Sequence, residues 1–518
     1  MRSLPVPVVL SSIALAGWLT GAAAQTVDNQ TTSSASPPAQ SGQIVNSADL
    51  LPGTIPQPTI ESPGTVAGIT LGELYTDNLK LAASDQAKQA SFITEIQPFI
   101  RSAYSSPRFS GLLNYMLTGY VYAGHSGDDQ LAQNLDAQGT LTIAPQHLFL
   151  DGAAVYGRQI INNELPAGAG TFFLGNNRAN VAMATLSPYW VQQLGNVGTM
   201  IVRYTRGRVM YNRRGIPDSD QNGNPLAGVP DITSNAVQFS VASPKDETWG
   251  WNLNYSQQQL EPGSGPGIQF ASAELGVSRQ VSPDTRLLAD GGKENNYLPD
   301  GTVDHLGANF WDVGFEWANT LDSLRLLVGH RFYGRSAQFS WTHTAALLTT
   351  ILSYEERPTD LNQQLLGQNP GQLVTSPILG IRQFPSLAER RVYLMKRATA
   401  SVAYTMPHGR LNLTLYNESR DYFLSGDREK VAAADLSWLF EIGPFTTLTP
   451  TVGWQRYQFE NQQVNYTHYL QLSFVHQFDP HNFASLRLRN DSRNVDFGVP
   501  GAHDYRLNVI YFEWTHLF

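Results

Sequence analysis

The last stretch of the chain, NVIYFEWTHLF at Asn508–Phe518, has the pattern that decides the fold. Successive side chains of a strand point to opposite faces. One face is almost wholly apolar here and consists of Ile510, Phe512, Trp514, His516 and Phe518. The other face is mixed and consists of Val509, Tyr511, Glu513 and Thr515. An exposed strand with such an apolar face aggregates in water. In a membrane barrel the apolar face contacts lipid and the mixed face contacts the aqueous lumen.

Strand length separates this interpretation from a soluble β-sandwich, which alternates in the same way. The segments GRLNLTLYNESRD (409–421), YTHYLQLSFVHQF (466–478) and SLRLRNDSR (485–493) alternate leucine or phenylalanine with polar residues. Soluble strands are usually about five or six residues long. The alternating runs often reach about 12 residues, near the length that a tilted strand needs to cross a bilayer.

The alternation also assigns the faces of these strands. Leu413 and Leu472 face lipid, so a charge there is expected to be costly, while Asn412 and Gln471 face the lumen and are expected to tolerate one. The charged residues predicted to line the lumen are Arg410, Glu418, Arg487, Arg489, Asp491 and Arg493. Two tyrosines on the same polar faces, Tyr416 and Tyr469, are further candidates for lumen contact.

Connections between the alternating segments are short and long in turn. The short ones include 105–107, 144–147, 406–409 and 479–482, and the long ones include 166–178, 215–230, 297–307, 358–390 and 495–503. Short periplasmic turns and long outer loops are typical of bacterial outer-membrane barrels. We predict an all-β fold, a transmembrane antiparallel up-and-down β-barrel of roughly 20 to 22 strands, with a lumen too wide for its own side chains to fill.

The N-terminus predicts export. Arg2, the apolar run 6–19 and the small residues Ala22–Ala24 form a secretory signal peptide at 1–24. Residues 25–63 are rich in Ser, Thr, Pro, Gln and Gly without Lys or Arg, which predicts a disordered periplasmic linker. The barrel is predicted at 64–518, and the localisation is the outer membrane of a bacterial cell.

Composition excludes several other classes of protein. Hydrophobic residues make up 42% of the chain, and no apolar run after the N-terminus is long enough to be a transmembrane helix. The net charge is −9 without a basic cluster, so nucleic acid is not an expected partner. The chain has no cysteine, which removes disulfides and cysteine chemistry.

Five segments resemble the PEP-CTERM system-associated outer-membrane proteins, which are found beside exopolysaccharide loci. They are GELYTDNLKLA (72–82), FITEIQPFI (92–100), LNYMLTGYVY (113–122), HLFLDGAAVYGRQ (147–159) and LSPYWVQQLGNVGTMIVRY (186–204). Together they cover about the first third of the predicted barrel, and the later strands match only in kind. The resemblance implies a large outer-membrane barrel for polysaccharide export or surface assembly, and it supplies no catalytic residues.

Catalytic signatures are missing from the sequence, and one metal-like motif is present. There is no G-x-S-x-G or H-E-x-x-H motif, so we expect neither an enzyme nor a cofactor. Asp218, Asp220 and Asn222 match the first half of a calcium loop, but Val229 stands where the closing glutamate belongs. The motif indicates either a weak Ca²⁺ site or an Asn/Gly-rich turn.

The segment 358–390 lacks strand alternation and is rich in Pro and Gly, yet it carries many apolar residues that need burial. Our hypothesis is that it folds inward and constricts the pore. The alternative is a loop that lies across the outer rim or meets a partner barrel.

The sequence favours a pore, or an export or assembly component, linked to exopolysaccharide. The alternatives are a non-conducting barrel that anchors surface matrix and a membrane-embedded hydrolase. The expected partners are outer-membrane lipid, the barrel assembly machinery, polysaccharide and export proteins.

Trp514 and Phe518 are the predicted insertion signal, and the last strand is predicted to close the barrel against the first strand near Ile69–Tyr75. Deleting Phe518 should therefore leave the protein in the periplasm or degraded. Quantifying the protein in outer-membrane fractions checks this, and normal outer-membrane levels of the deletion would contradict it.

Overall fold

The computed structural model describes residues 64–518, except 125, 169, 175–176, 213–230, 245–247, 264–266, 298–304, 368–390, 424 and 497–499. The predicted signal peptide (1–24) and linker (25–63) lie outside the described residues and stay predictions. The described chain forms a single antiparallel sheet with one short helix, α1 at Leu361–Gly367, and a 3-10 turn at Ser126–Asp128.

The strands follow one another along the chain with few residues between most of them. Their bounds are β1 Gly64–Thr76, β2 Ser91–Ser105, β3 Phe109–Tyr122, β4 Gln130–Ala144, β5 Leu148–Ile160, β6 Arg178–Gln193, β7 Thr199–Asn212, β8 Ile232–Ala242, β9 Trp249–Pro262, β10 Ile268–Ser282, β11 Thr285–Glu294, β12 Asn296–Tyr297, β13 His305–Leu306, β14 Asn309–Ala318, β15 Asp322–Arg331, β16 Gly334–Thr344, β17 Leu348–Thr359, β18 Tyr393–Met406, β19 Gly409–Tyr422, β20 Arg428–Gly443, β21 Thr446–Gln458, β22 Val464–Asp479, β23 Asn482–Asp496 and β24 Tyr505–Leu517.

The sheet closes on itself because the first and last strands pair. Ile69 lies opposite His516, and Tyr75 lies opposite Ile510, in an antiparallel ladder. The two-residue strands β12 and β13 pair with each other and extend the β11–β14 hairpin. The other strands of the described chain form a closed barrel of 22 strands, which confirms the predicted fold class and the predicted closing pair.

The two ends of the barrel differ in the length of their connections. Turns such as 407–408 and 480–481 join hairpins at one end, and longer segments such as 77–90 and 161–177 join strands at the other. The β15–β16 hairpin is an exception, because only Phe332 and Tyr333 connect it at the long-loop end. The short-turn end is the periplasmic end of such a barrel.

The exterior of the barrel is apolar along whole strands. On β22 the outward residues Leu470, Leu472, Phe474 and Phe478 are all exposed. On β24, Phe512 and Trp514 are exposed, and Phe518 follows the strand with 76% of its surface exposed. A closed barrel pairs its backbone groups internally, and an apolar exterior of this height suits lipid. The protein is therefore a bacterial outer-membrane β-barrel.

No helix among the described residues is both long and apolar enough to cross a bilayer.

The sequence predicts that two inward positions, Asn412 and Gln471, tolerate a charge equally, and the structure shows that their surroundings differ. Asn412 is half-buried and is the fourth residue of β19. Gln471 is 0% exposed and accepts a hydrogen bond from the guanidinium of Arg489 while it donates one to Ser473. A positive charge at Gln471 would lie beside Arg489, so the expectation that it is nearly silent is wrong for this position.

Leu413 and Asn412 give a matched test of which face meets lipid. Leu413→Arg should destabilise the barrel by about 2–4 kcal/mol, because it places a charge against the hydrocarbon region. Asn412→Arg, one residue away on the opposite face, should change the stability little. Denaturant unfolding in lipid vesicles measures both, and the reverse order of sensitivities would contradict the facing of β19.

Candidate functional site inside the barrel

The six charged residues predicted to line the lumen all lie on the inward faces of β19 and β23. Glu418, Arg487, Arg489, Asp491 and Arg493 are buried there, and Arg410 is half-buried near the periplasmic end of β19. Tyr416 and Tyr469 are buried on inward faces as well. The structure thus brings these residues together on one side of the barrel wall, from β18 to β24.

One charge network crosses β18 to β21. Arg420 is 0% exposed and forms ion pairs with Glu418 and, at 3.1 Å, with Glu429. The Nε atom of Arg397 lies 2.7 Å from Glu418 Oε2. The guanidinium of Arg420 also donates to the Tyr457 hydroxyl at 2.5 Å. Each charged group of this network is paired with a group of opposite charge, so the network has little net charge.

A second network covers the inward face of β22 to β24. Arg489 forms an ion pair with Asp491 at 2.7 Å, and its guanidinium lies 4.2 Å from the centre of the Tyr469 ring. Arg487 pairs with Glu513 and stacks over Tyr511 at 4.1 Å. Stacking on an aromatic face and pairing with a carboxylate both use the planar guanidinium, which a lysine would not reproduce.

Two segments fold from the outer rim into the barrel, and the first connects β5 to β6. We call the described residues of 161–177, which are all but 169, 175 and 176, the inner loop. Phe172 and Phe173 are each 4% exposed, with ring centres 4.2 Å apart, and they pack in one cluster with Leu79, Leu81 and Leu174. The long outer connection predicted at 166–178 is present at this end of the barrel, and its inward fold is a feature that the sequence analysis did not predict. The run Phe172-Phe173-Leu174 was the available signal, because three apolar residues in a loop need burial.

The inner loop reaches across the mouth to the last strands of the barrel. The guanidinium of Arg493 and the Nε2 atom of Gln463 both donate to the Glu164 carbonyl, the latter at 3.2 Å. The Tyr505 hydroxyl on β24 donates to the Ala167 carbonyl at 3.1 Å. These contacts fix a loop that begins at β5 to strands on the other side of the β1–β24 closure.

The second inward segment follows β17 and contains α1. Asp360 caps the helix, because its carboxylate accepts the Gln363 backbone N–H at 2.7 Å. Leu361 and Leu365 are 2% and 5% exposed and pack in a cluster with apolar residues of β5 to β10. The residues of α1 therefore lie inside the barrel, as the hypothesis for 358–390 requires. Residues 368–390 lie outside the described part.

Polar contacts attach α1 to two well-separated strands. The Tyr211 hydroxyl on β7 donates to Asn362 Oδ1 at 3.0 Å, and Gln364 Nε2 donates to the Tyr393 hydroxyl on β18 at 2.6 Å. Leu366 packs close to the backbone of Gly207 on β7, where a Cβ would lie 2.9 Å from Leu366 Cδ2. The helix thus bridges the lumen near its outer end.

Both inward segments leave the wall where a strand separates from its neighbour. The β4–β5 ladder ends at the Leu135–Tyr156 pair, although β5 continues to Ile160. The β16–β17 ladder ends at the Phe339–Tyr354 pair, although β17 continues to Thr359. Counting from each strand to its neighbour around the barrel, with β11 to β14 as one step, β5 and β17 lie ten strands apart in the barrel of 22. The two segments therefore enter the lumen from nearly opposite sides.

The remaining predicted site residues fall into two groups. Asp218, Asp220 and Asn222, the candidate calcium ligands, lie outside the described residues. Within the described part of the chain, no group of three or more His, Asp or Glu side chains is arranged to hold a metal ion. Trp514 and Phe518, the predicted insertion signal, are on the lipid-facing side at the periplasmic end.

Burial changes the acidity of two carboxyl groups in the inward segments. Burial raises the pKa of Glu164 above its ordinary value, although hydrogen bonds from Asn162 and Asn461 lower it, and Glu429 and Glu460 raise it further. Burial also raises the pKa of Asp360, against the hydrogen bonds that it accepts from Gln363 and Asn362. Both segments therefore hold a proton more tightly when they are docked than when they are released.

Comparisons with known proteins give similar shapes and little sequence similarity. No family model matches the chain, and no curated protein matches it. A mutant of the ferric enterobactin receptor PfeA from Pseudomonas aeruginosa is similar at 10% identity and a TM-score of 0.47, over 89% of this chain and 81% of that one. The siderophore receptor PirA from Acinetobacter baumannii is similar at 6% identity and a TM-score of 0.49, over 89% of this chain and 81% of that one. The FrpB iron transporter from Neisseria meningitidis is similar at 11% identity and a TM-score of 0.47, over 88% of this chain and 81% of that one.

The raised pKa of Glu164 predicts that docking of the inner loop depends on pH. The protonated carboxyl favours the docked loop, so docking should be strongest below the ordinary pKa and should weaken as the pH rises through the raised value. Hydrogen exchange of residues 162–174 between about pH 4 and pH 8 measures this. Glu164→Gln should keep the loop protected and remove the dependence on pH. An unchanged pH profile in that variant would assign the effect to another group.

Proposed function

We propose that this protein is an outer-membrane pore or export component for exopolysaccharide, closed at rest by the inner loop and α1. The observation that carries the proposal is the combination of a polar, charge-paired wall with two apolar segments docked across the mouth above it. The resemblance of the first strands to proteins of exopolysaccharide loci supports the choice of substrate.

The chemistry of the wall suits a hydrated polymer better than an ion. Arg487 and Arg489 each stack on a tyrosine and pair with a carboxylate, so the wall carries hydrogen-bonding groups with little net charge. Pores that select ions by charge use rings of side chains of one sign. Sugars present hydroxyl groups, which match the hydrogen-bonding groups of such a wall.

The closed mouth also favours a second candidate, a non-conducting barrel that anchors surface matrix. The two candidates differ in whether the inward segments ever leave the lumen. In an export pore the inner loop and α1, with their apolar side chains, have to leave the lumen. In a matrix anchor they stay in place. Conductance therefore separates the two functions.

Single-channel recording in planar bilayers tests the proposal. Phe172→Asp with Phe173→Asp should release the inner loop, and Leu361→Asp with Leu365→Asp should release α1, because each pair buries charge in an apolar cluster. Each double variant should raise the conductance several-fold over the wild type, and the combined variant should raise it further. Heat-modifiable migration on a gel confirms that each barrel is folded.

A reversible lock provides the control. The backbone N–H of Leu174 donates to the Leu79 carbonyl at 3.3 Å, so the two residues are close enough for a disulfide. Since the chain has no cysteine, Leu79→Cys with Leu174→Cys forms a single cross-link. In a barrel that carries only these two substitutions, oxidation should suppress channel openings and reduction should restore them. The single variant Leu174→Cys should respond to neither treatment. Folded barrels that conduct nothing in any state would support the matrix anchor and contradict the pore.

A further inference from the structure

In most contacts between the inner loop and the barrel wall, the wall donates and a loop carbonyl accepts. The donors lie on both sides of the β1–β24 closure. Those that donate to backbone carbonyls of the loop include Tyr122, Arg158, Gln463, Asn465, Arg493 and Tyr505. In addition, Asn461 donates to the Glu164 side chain at 2.7 Å. Other contacts differ: the Leu174 backbone N–H donates to the Leu79 carbonyl, and the hydroxyls of Thr171 and Tyr120 share a hydrogen bond at 2.8 Å.

These donors cover the mouth rather than one point of it. Tyr122 ends β3, Asn465 is the second residue of β22, and Arg493 and Tyr505 face each other on β23 and β24. Their acceptors follow the same order along the loop: Asn163 and Glu164 meet β22 and β23, Ala167 meets β24, and Phe172 meets β3. These carbonyl oxygens thus follow an arc of the inner wall.

We propose that this arc is a binding site for an acyl-bearing or carboxyl-bearing glycan chain, and that the inner loop occupies it as a built-in substitute for the ligand. The inference rests on the proposed function, because it identifies the substrate class of that pore. The same donors serve both states: the loop supplies carbonyl oxygens when the mouth is shut, and the glycan supplies carboxylate or acetyl oxygens when it is open.

The physical reason is competition for the same donors. In the docked state Arg493 and Tyr505 are buried and donate to loop carbonyls, whereas water replaces those acceptors when the loop withdraws. A ligand rich in acceptor oxygens can bind these donors only after the loop has left them, so its binding favours the open mouth. A neutral polymer with hydroxyl groups alone meets the same donors with weaker acceptors, since a hydrogen bond to a charged oxygen is roughly twice as strong.

The test uses the loop-released barrel, Phe172→Asp with Phe173→Asp, so that the site is available. Binding of defined oligosaccharides is measured by calorimetry in detergent, with oligogalacturonate as the carboxyl-bearing probe, chitooligosaccharide as the acetylated probe and dextran as the neutral control. Either of the first two should bind at least about tenfold more tightly than dextran. Adding Arg493→Met and Tyr505→Phe to the loop-released barrel should lower that affinity by about tenfold or more.

A control lies on another part of the barrel wall. The Tyr333 hydroxyl, in the β15–β16 turn, donates to the Glu356 carbonyl at 3.5 Å rather than to the loop, so Tyr333→Phe should leave the affinity unchanged. In the wild-type protein, the probe that binds should increase hydrogen exchange of residues 162–174, because it displaces the loop.

The outcomes separate this inference from the proposed function. Equal affinities for all three probes, or affinity that survives the Arg493 and Tyr505 substitutions, would overturn the inference even if the released barrel conducts. Selective binding that depends on those two residues, in a barrel without conductance, would uphold the site and reject the pore.

Discussion

Backbone pairing is the constraint on which this structure depends. Inside a bilayer no water is available for an unpaired N–H or C=O group, so a sheet has to close on itself. Here the closure is made by β1 and β24, with Ile69 opposite His516 and Tyr75 opposite Ile510. The register also fixes which residues face lipid, because a shift by one residue would turn Trp514 and Phe518 inward and Glu513 outward.

Closing a sheet of this size creates a second problem, the width of the lumen. A barrel of so many strands is too wide for wall side chains to fill. This chain meets the problem at two levels. Along the wall, arginines such as Arg420 and Arg487 contact tyrosines and carboxylates of neighbouring strands. At the mouth, the inner loop and α1 bring apolar side chains into the space that the wall leaves open.

The sequence predicts the wall far better than the mouth. Alternation reports which face of a strand is apolar, and this was enough to predict the closing pair, the strand number and the inward position of Glu418 and Arg493. It does not report what covers an inward face, so Gln471 resembled a tolerant lumen position although it is buried between Arg489 and Ser473. The inner loop was missed for the same reason. Its apolar residues were visible, but the position where they pack depends on strands more than 300 residues further along the chain.

That separation has a consequence for how the molecule is built. Glu164 and Arg493 are 329 residues apart in the chain, and Ala167 and Tyr505 are 338 apart. Neither contact is available until the last two strands have joined the barrel, since β23 and β24 supply the donors. Hairpins form from near neighbours, whereas contacts of this range come late because ordering so long a loop is entropically costly. The inner loop therefore cannot reach its final position before β23 and β24 have joined the wall, so the outer mouth lacks the contacts that hold its cover until the end of the chain has folded.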